Sequence, residues 1–278
     1  MQDSGGKEMA FMDHLEELRW HLLRGIVAVF ICMILAFVNM KFIFRNVILA
    51  PAQADFWTYK VLCKLSSVTC VDQLNFALQS RLLSGQFTMH FVASFTIGFI
   101  IGFPYLFWEI WRFIKPGLYL NERQGAQGTV LFVTALFAIG TLFGYFVIAP
   151  MSINFLANYT LDESIVNEFD ITSYVGTLCM IVLAGGLMFQ LPVVVMVLSK
   201  IGVMTPAFMR KYRKHSIVVL MIIAAIITPS PDVLSQLLVG IPLYLLYEMS
   251  IFISAIMNKR REQETAVEKI NNYPNVLK

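Results

Sequence analysis

The sequence predicts an all-α polytopic membrane protein with six transmembrane helices, both termini in the cytoplasm, and a curved, concave arrangement in which helices 5 and 6 are short. The first observation is composition: of 278 residues, 58% are hydrophobic and 14% charged, against about 25% charged residues in soluble domains. Mean hydropathy is +0.69. The second and third observations are a series of long uncharged runs and the uneven placement of lysine and arginine between them.

Six runs qualify as candidate spans, because a helix is the only short segment that satisfies its own backbone amides inside hydrocarbon. Spans 1 to 6 are residues 25–40, 82–108, 124–161, 171–199, 216–231 and 233–258, the last interrupted by Glu248. The N-terminus lacks the pattern of a cleaved signal peptide, so we expect span 1 to be retained.

The runs divide the chain into three parts. We assign 1–23 to an amphipathic N-terminal helix, 24–258 to the transmembrane domain and 259–278 to a cytoplasmic tail. Within the transmembrane domain, 41–85 forms a long external loop, and 109–127 and 200–215 form cytoplasmic loops.

Positive charge sets the expected orientation, because lysine and arginine accumulate in cytoplasmic loops. Sixteen of the 21 cations precede span 1, lie between spans 2 and 3 or spans 4 and 5, or follow span 6; the other five lie in the external loop. Both termini are therefore expected in the cytoplasm. Since this topology explains the net charge of +3, the charge gives no reason to expect nucleic-acid binding.

Span 5 is short. Residues 216–228 give about 20 Å of helix against a hydrocarbon core of about 30 Å. Span 6 begins within a few residues of the end of span 5, so the two spans form a short helical hairpin. Either neighbouring helices cover this hairpin or the bilayer thins around it, and the sequence leaves both open. Pro104, Pro192 and Pro242 lie inside spans 2, 4 and 6 and predict kinks, which either shape a concave surface or are scattered without forming a cavity.

The segment before span 1 predicts an amphipathic helix at the membrane interface. Its apolar stripe is Phe11, Leu15, Leu18 and Leu22. Asp13 and Glu17 lie on another face, four residues apart, where like charges disfavour a helix. This acidic face is either a solvated surface with local ion pairs, Glu16 with Arg19 and Glu17 with His21, or a dock for a cationic partner. A carboxylate can accept a guanidinium through two parallel hydrogen bonds.

The chain contains no HExxH, GxSxG or phosphate-loop motif, so we expect no enzyme, no metal site and no cofactor. A secondary transporter of a small solute is the alternative function. Broken helices and polar midplane groups occur in that class, but its usual repeated halves are not evident here.

Several sequence blocks carry a family resemblance. They are HLEELRWHLLRG at 14–25, LAP at 49–51, FWEIWRFIKPGLYLNER at 107–123, GYFVIAP at 144–150, FQLPVV at 189–194, and TPSPDVLSQ at 228–236 with IPLYLLYE at 241–248. From about residue 12 to 255 the chain resembles the TatC family, the multi-spanning receptor subunit of the twin-arginine (Sec-independent) protein translocase. The resemblance implies six helices with both ends in the cytoplasm, as the charge distribution does.

The resemblance also implies site residues. Glu17, in the family's HLxELR motif, and Glu122, in its LYxxER motif, are implied to bind the two consecutive arginines of a twin-arginine signal peptide. Arg19 and Arg123 belong to the same motifs and are expected to orient these carboxylates. Partner-helix contacts are implied around the short hairpin, where single-span TatA- and TatB-type subunits dock, at Thr228, Asp232 and Gln236.

Two further polar residues lie inside spans. Gln190, beside Pro192, stands where some family members have a glutamate; this disfavours a proton-linked role, although an amide can still bond a partner helix. Glu248 is either an anchor at the cytoplasmic edge or a partner contact. The resemblance also implies that Tyr145 and Pro150 have a structural role at the end of span 3.

The external loop carries Cys63 and Cys70. In an oxidising compartment they either form a disulfide that closes a small loop or remain free thiols. The combined prediction is a multi-pass protein of the bacterial cytoplasmic (inner) membrane that exports folded proteins on the proton motive force. Its expected partners are twin-arginine precursors, TatA and TatB-type subunits, further copies of itself and the lipid bilayer.

Overall fold

The computed structural model describes residues 5–65, 76–114, 126–162, 164, 167–200, 202–228 and 233–272, with backbone alone for 5–15, 65, 126–127, 200, 234 and 260–272. These residues are mostly helical. The helices are α1 (Gly5–Val38), α2 (Met40–Ile43), α3 (Trp57–Leu65), α4 (Gly85–Ile114), α5 (Ala126–Phe143), α6 (Ala149–Asn158), α7 (Ile171–Met188), α8 (Leu191–Lys200), α9 (Pro206–Lys211), α10 (Arg213–Ile227) and α11 (Val233–Asn272).

Five described stretches are long and apolar enough to cross a membrane: Glu16–Val38, Gly85–Ile114, Gly128–Asn158, Ile171–Ser199 and Ser235–Lys259. They coincide with predicted spans 1 to 4 and 6. Span 5 corresponds to α10, whose 15 residues extend about 22 Å. The predicted shortness of this helix is therefore present, and the count of six crossings stays a prediction.

Several predicted boundaries fall inside helices. The N-terminal segment and span 1 form the single helix α1, and α11 continues through residue 258 to Asn272. Helix α4 extends to Ile114, which places Glu109 in a helix rather than at the start of a loop. These differences have one cause, because a charged residue marks where a helix leaves hydrocarbon and not where its hydrogen bonding ends.

Helix α1 packs along α4 through small residues. A Cβ added at Gly98 would lie 2.6 Å from the backbone of Met33, and one at Gly102 would lie 2.9 Å from the side chain of Val29. Glycines four residues apart on one face allow close backbone approach. This contact fixes the neighbouring ends of the two helices, where the candidate site lies.

The prolines act differently from one another. Helices α4 and α11 continue through Pro104 and Pro242, whereas span 4 divides into α7 and α8 at Phe189–Gln190, with Pro192 in the first turn of α8. A proline there removes no helical hydrogen bond, because the first-turn amides lack intrahelical acceptors. The prediction of a kink in span 4 is realised as a break.

Tyrosines tie the connecting segments to one end of the bundle. Tyr145, in the π-helical turn Gly144–Ile148 between α5 and α6, donates to the Val47 carbonyl at 2.8 Å. Tyr174 of α7 donates to the Ile48 carbonyl at 2.7 Å. Tyr59 of α3 is fully buried and donates to the carbonyls of Pro51 and Pro150, and burial raises the pKa of its phenol. The end of span 3, where the family resemblance implies a structural role for Tyr145 and Pro150, is therefore stabilised by hydrogen bonds as well as by packing.

A small sheet, which the sequence did not indicate, lies at the same end. Strands β1 (Ala77–Gln79) and β2 (Glu168–Asp170) pair in parallel. Asp170 also caps α7: its carboxylate accepts from the Thr172 amide at 2.8 Å and from the Arg81 amide at 2.9 Å. The Thr172 hydroxyl and these amides hold the pKa of Asp170 below its ordinary value.

The main hydrophobic core surrounds α7, where Val175, Leu178 and Ile181 are buried. The short helix α10 joins this core through Leu220 and Ala224 and packs on α11. Neighbouring helices thus cover part of the short hairpin, while Ile222 and Ile226 of α10 remain exposed.

Candidate functional site

A cavity of about 440 Å³ opens between α1 and α4. Its walls are Glu17, Trp20, His21 and Arg24 of α1 and Arg112 of α4. The α1 residues recur at helical spacing, so one face of α1 presents a carboxylate, an imidazole and a guanidinium to α4. The cavity lies at the end of the bundle opposite Tyr145 and the small sheet, because both helices run away from that end.

Beneath the cavity lies a buried polar cluster. His21 Nδ1 and Glu109 Oε2 are 2.5 Å apart, and the Tyr105 hydroxyl donates to Glu109 Oε1 at 2.9 Å. The side chains of His21 and Glu109 are 9% and 2% exposed. A buried carboxylate requires such partners, since an unpaired charge away from water is very costly.

Glu17 is the accessible carboxylate of this site. Its side chain is 56% exposed, and its Oε1 atom lies 3.9 Å from His21 Nε2. His21 therefore lies between an exposed carboxylate and a buried one, with the shorter distance to the buried one. The i,i+4 pairing of Glu17 with His21 was apparent in the sequence, but the contact with Glu109 was not.

Two guanidinium groups share the cavity with Glu17. Arg112 stacks over Trp108, with Cζ 5.7 Å from the ring centroid, and Arg24 lies within electrostatic reach of Glu109 and Tyr105. Arg19 is exposed and does not line the cavity. Glu122 and Arg123 lie outside the described residues, as does the side chain of Asp13.

The described partner-contact residues at the hairpin form hydrogen bonds within this chain. Thr228 is buried and bonds to the Ala224 carbonyl at 3.0 Å, and Gln236 Nε2 donates to the Met221 carbonyl of α10 at 3.2 Å. Glu248 accepts from Arg213 at 2.6 Å and from the Tyr244 hydroxyl at 3.0 Å. Asp232 lies outside the described residues.

Gln190 is half satisfied. Its Nε2 donates to the Val133 carbonyl at 3.3 Å, while its buried Oε1 accepts no hydrogen bond from the described residues. The break between α7 and α8 places this amide against α5. Its contact with a neighbouring helix is thus made inside this chain.

Cys63 lies in α3, and Cys70 lies outside the described residues, so their pairing stays a prediction. Among the described residues, no three His, Cys, Asp or Glu side chains are grouped as metal ligands.

Sequence reasoning missed Glu109, Tyr105, Arg112 and Trp20 as site residues. Local signals existed for two of the contacts: Tyr105 with Glu109 and Trp108 with Arg112 are each four residues apart in a helical pattern, the spacing at which side chains meet. The meeting of Glu109 with His21 joins positions 88 residues apart, and only the packing of α1 on α4 brings them together.

Among the described residues, five apolar stretches are long enough to cross a membrane, and they define a polytopic helical membrane protein with a buried polar cluster and a charged cavity at one end. Comparison with known proteins makes the class specific. Residues 13–242 match the family model described as Sec-independent protein translocase protein (TatC).

Similar proteins carry the same description. A Sec-independent protein translocase protein TatC from Blattabacterium sp. subsp. Periplaneta americana is 37% identical over 91% of this chain and 98% of its own length. One from Aquifex aeolicus is 32% identical over 92% of this chain and 98% of its own length. A crystal structure titled twin arginine translocase receptor TatC, in DDM, matches 87% of this chain and 99% of its own with a TM-score of 0.70 and 32% identity.

This chain belongs to the TatC family. It is a membrane-spanning subunit of the Sec-independent protein translocase, and its homologues are named as translocase components rather than as enzymes.

Proposed function

We propose that this chain is the receptor that binds twin-arginine signal peptides and forms the core on which the rest of the translocase assembles. The observation that carries the proposal is the exposed carboxylate of Glu17 at the mouth of a cavity between α1 and α4. Solved relatives described as the twin arginine translocase receptor support the same role.

In this proposal two carboxylates meet the two arginines. Glu17 supplies one, and Glu122 supplies the other from the segment that directly follows α4 in the sequence. Arginine suits this contact because its planar guanidinium makes two parallel hydrogen bonds to a carboxylate, each charge-assisted. Arg19 and Arg123 orient the two acids.

We place the site on the cytoplasmic side of the bacterial inner membrane, with both termini there. The concentration of lysine and arginine in the segments at this end supports the orientation. It requires six crossings, the fifth being α10, whose length of about 22 Å falls short of a hydrocarbon core of about 30 Å and calls for local thinning.

The α10–α11 hairpin is the proposed dock for TatA- and TatB-type single-span subunits. The exposed apolar residues Ile222 and Ile226 of α10 support this assignment. The proposed polar contacts are Thr228, Asp232, Gln236, Gln190 and Glu248. Folded precursors then cross on the proton motive force, whose electrical part supplies about 2.3 kcal/mol per charge per 100 mV. The chain acts by binding and remodelling.

The test is site-specific photo-cross-linking of a twin-arginine precursor to a probe at position 17, with position 16 as a matched control. Glu16 is also an exposed glutamate of α1 but does not line the cavity. We expect a cross-link from position 17 that disappears when the precursor's arginine pair is replaced by lysines, and a weak, pair-independent signal from position 16.

Export supplies the second readout. A charge-assisted contact contributes about 1.5 to 3 kcal/mol, or roughly a ten- to hundredfold change in affinity. Glu17→Ala and Glu122→Ala should each sharply reduce export of twin-arginine precursors, whereas Glu16→Ala should not. Normal export by both variants at wild-type abundance would refute the proposed dock.

A further inference from the structure

The cavity beside Glu17 carries more positive than negative charge on its walls. Glu109 lies beneath it, bonded to His21 and Tyr105, so the charged groups that line the cavity are the Glu17 carboxylate and the guanidiniums of Arg24 and Arg112. Within the described part of the chain, neither guanidinium lies within 4.0 Å of a carboxylate. The sequence of the segment 115–125 adds two cations and one acid, so its composition does not reverse this balance.

Aromatic side chains indicate the depth of the cavity in the bilayer. Trp20, Trp108 and Tyr105 are 56%, 42% and 41% exposed. Exposed tryptophan and tyrosine are typical of the headgroup region, where an amphipathic ring contacts both lipid and water. Both arginines stand at this level, since Arg112 stacks on Trp108 and Arg24 follows Trp20 by one helical turn.

An apolar track leads from Arg24 along α1 toward the bilayer interior. Val27, Ile31 and Leu35 follow Arg24 at intervals of three and four residues, and all three side chains are more than half exposed. Residues at this spacing share one face of a helix. A molecule with its anionic group at Arg24 can therefore lay an acyl chain on this track.

We propose that Arg24 and Arg112 bind the phosphate of an anionic phospholipid headgroup, with an acyl chain packed along α1. Basic pockets between helices at the headgroup level bind such lipids, and a guanidinium makes paired hydrogen bonds to phosphate. A free phosphate would share the two arginines but would gain nothing from Val27, Ile31 and Leu35. Lipid binding at this site does not depend on the receptor function proposed above.

The test counts phosphatidylglycerol bound to the purified full-length chain by native mass spectrometry during a lipid titration. Each arginine near an anionic lipid contributes about 1 kcal/mol, so Arg24→Gln with Arg112→Gln should weaken the tightest binding about thirtyfold. The matched control is Arg210→Gln with Lys214→Gln, which removes the same charge from exposed positions of α9 and α10 and should leave that binding unchanged.

Two further arms give the measurement its specificity. Arg24→Lys with Arg112→Lys keeps the charge and should retain most of the binding, and inorganic phosphate at the same concentration should not displace the lipid. Equal losses in the glutamine pair and the control pair, no loss in either, or displacement by inorganic phosphate would each overturn the proposal.

A consequence for peptide binding rests on the proposed receptor function. A bound lipid with net negative charge offsets the positive field of Arg24 and Arg112, and zwitterionic phosphatidylcholine does not. A twin-arginine peptide should therefore bind wild type more tightly in phosphatidylglycerol nanodiscs than in phosphatidylcholine nanodiscs. In phosphatidylcholine the glutamine pair should bind the peptide better than wild type. If the peptide binds in neither lipid, the receptor proposal fails, and the lipid titration still tests the lipid-binding proposal independently.

Discussion

Glu109 is a buried carboxylate held by two partners, and those partners determine which substitutions it tolerates. Removing the partner of a buried carboxylate leaves its charge unpaired, which costs about 3 kcal/mol. We therefore expect His21→Leu to lower the unfolding temperature of the detergent-purified protein strongly. Glu109→Gln should cost about 1 kcal/mol, because an amide can still bond to both His21 and Tyr105.

The double variant His21→Leu with Glu109→Leu gives the sharper comparison. It leaves no unpaired buried charge, so it should be more stable than His21→Leu alone. Thermal unfolding followed by tryptophan fluorescence measures these variants and the single variant Glu109→Leu under one condition. Additive losses in the double variant would show that His21 and Glu109 contribute independently, against the 2.5 Å contact.

At the scale of the elements, the start of α7 depends on the charge of Asp170. Because the folded-state pKa of this carboxyl is lowered by Thr172 and the Arg81 amide, its stabilising effect is present above the unfolded-state pKa. That effect is lost as the pH falls through the folded-state pKa. Asp170→Asn should therefore lower the unfolding temperature at neutral pH.

Acidification provides the check on this prediction. Once the pH is below the folded-state pKa of Asp170, both proteins carry a neutral side chain at position 170, so the difference between their unfolding temperatures should shrink. Asp55→Asn is the control, because Asp55 is an exposed carboxylate paired with Lys60, and a surface ion pair contributes little to stability. A constant difference for Asp170→Asn across the pH range would contradict the assigned role of charge.

The α10–α11 hairpin is held by the bond from Gln236 to the Met221 carbonyl. Gln236→Leu removes that donor and a polar group at the proposed dock, so it should reduce cross-links to a TatA-type subunit while precursor binding at Glu17 persists. Gln86→Leu, the same change at an exposed position near the start of α4, is the control. Loss of precursor binding before loss of the partner cross-link would contradict this division of roles.

At the scale of the whole molecule, the topology can be tested through the external loop. In a Cys32→Ser, Cys179→Ser background, Cys63 and Cys70 should react with an impermeant maleimide in whole cells only after reduction. Ser80→Cys, introduced into the Cys63→Ser, Cys70→Ser form of that background, supplies an exposed thiol in the same loop and should react without reductant.

Three outcomes are informative here. Reaction of Cys63 and Cys70 before reduction would show free thiols and remove the disulfide. Failure of Ser80→Cys to react would contradict an external position for residues 41–85. Reaction of Ser80→Cys alone before reduction, followed by reaction of the cysteine pair after it, would support both the disulfide and the orientation.

The sequence by itself determined where the apolar helices lie, that α10 is short and which family the chain belongs to. These properties are local, since run length, periodicity and motif spacing require only neighbouring residues, and the match over residues 13–242 confirms the family. The sequence also identified Glu17 as a candidate site residue, because HLEELR is a contiguous motif.

Tertiary structure alone decided the environment of Glu17. The contact of Gly98 and Gly102 with α1 sets how closely α1 approaches α4, and that approach buries Glu109 against His21 and brings Arg112 to the cavity of Arg24. No local pattern encodes a contact between positions 88 residues apart. The excess positive charge at the site is therefore a property of helix packing, because it arises only when side chains distant in sequence share one cavity.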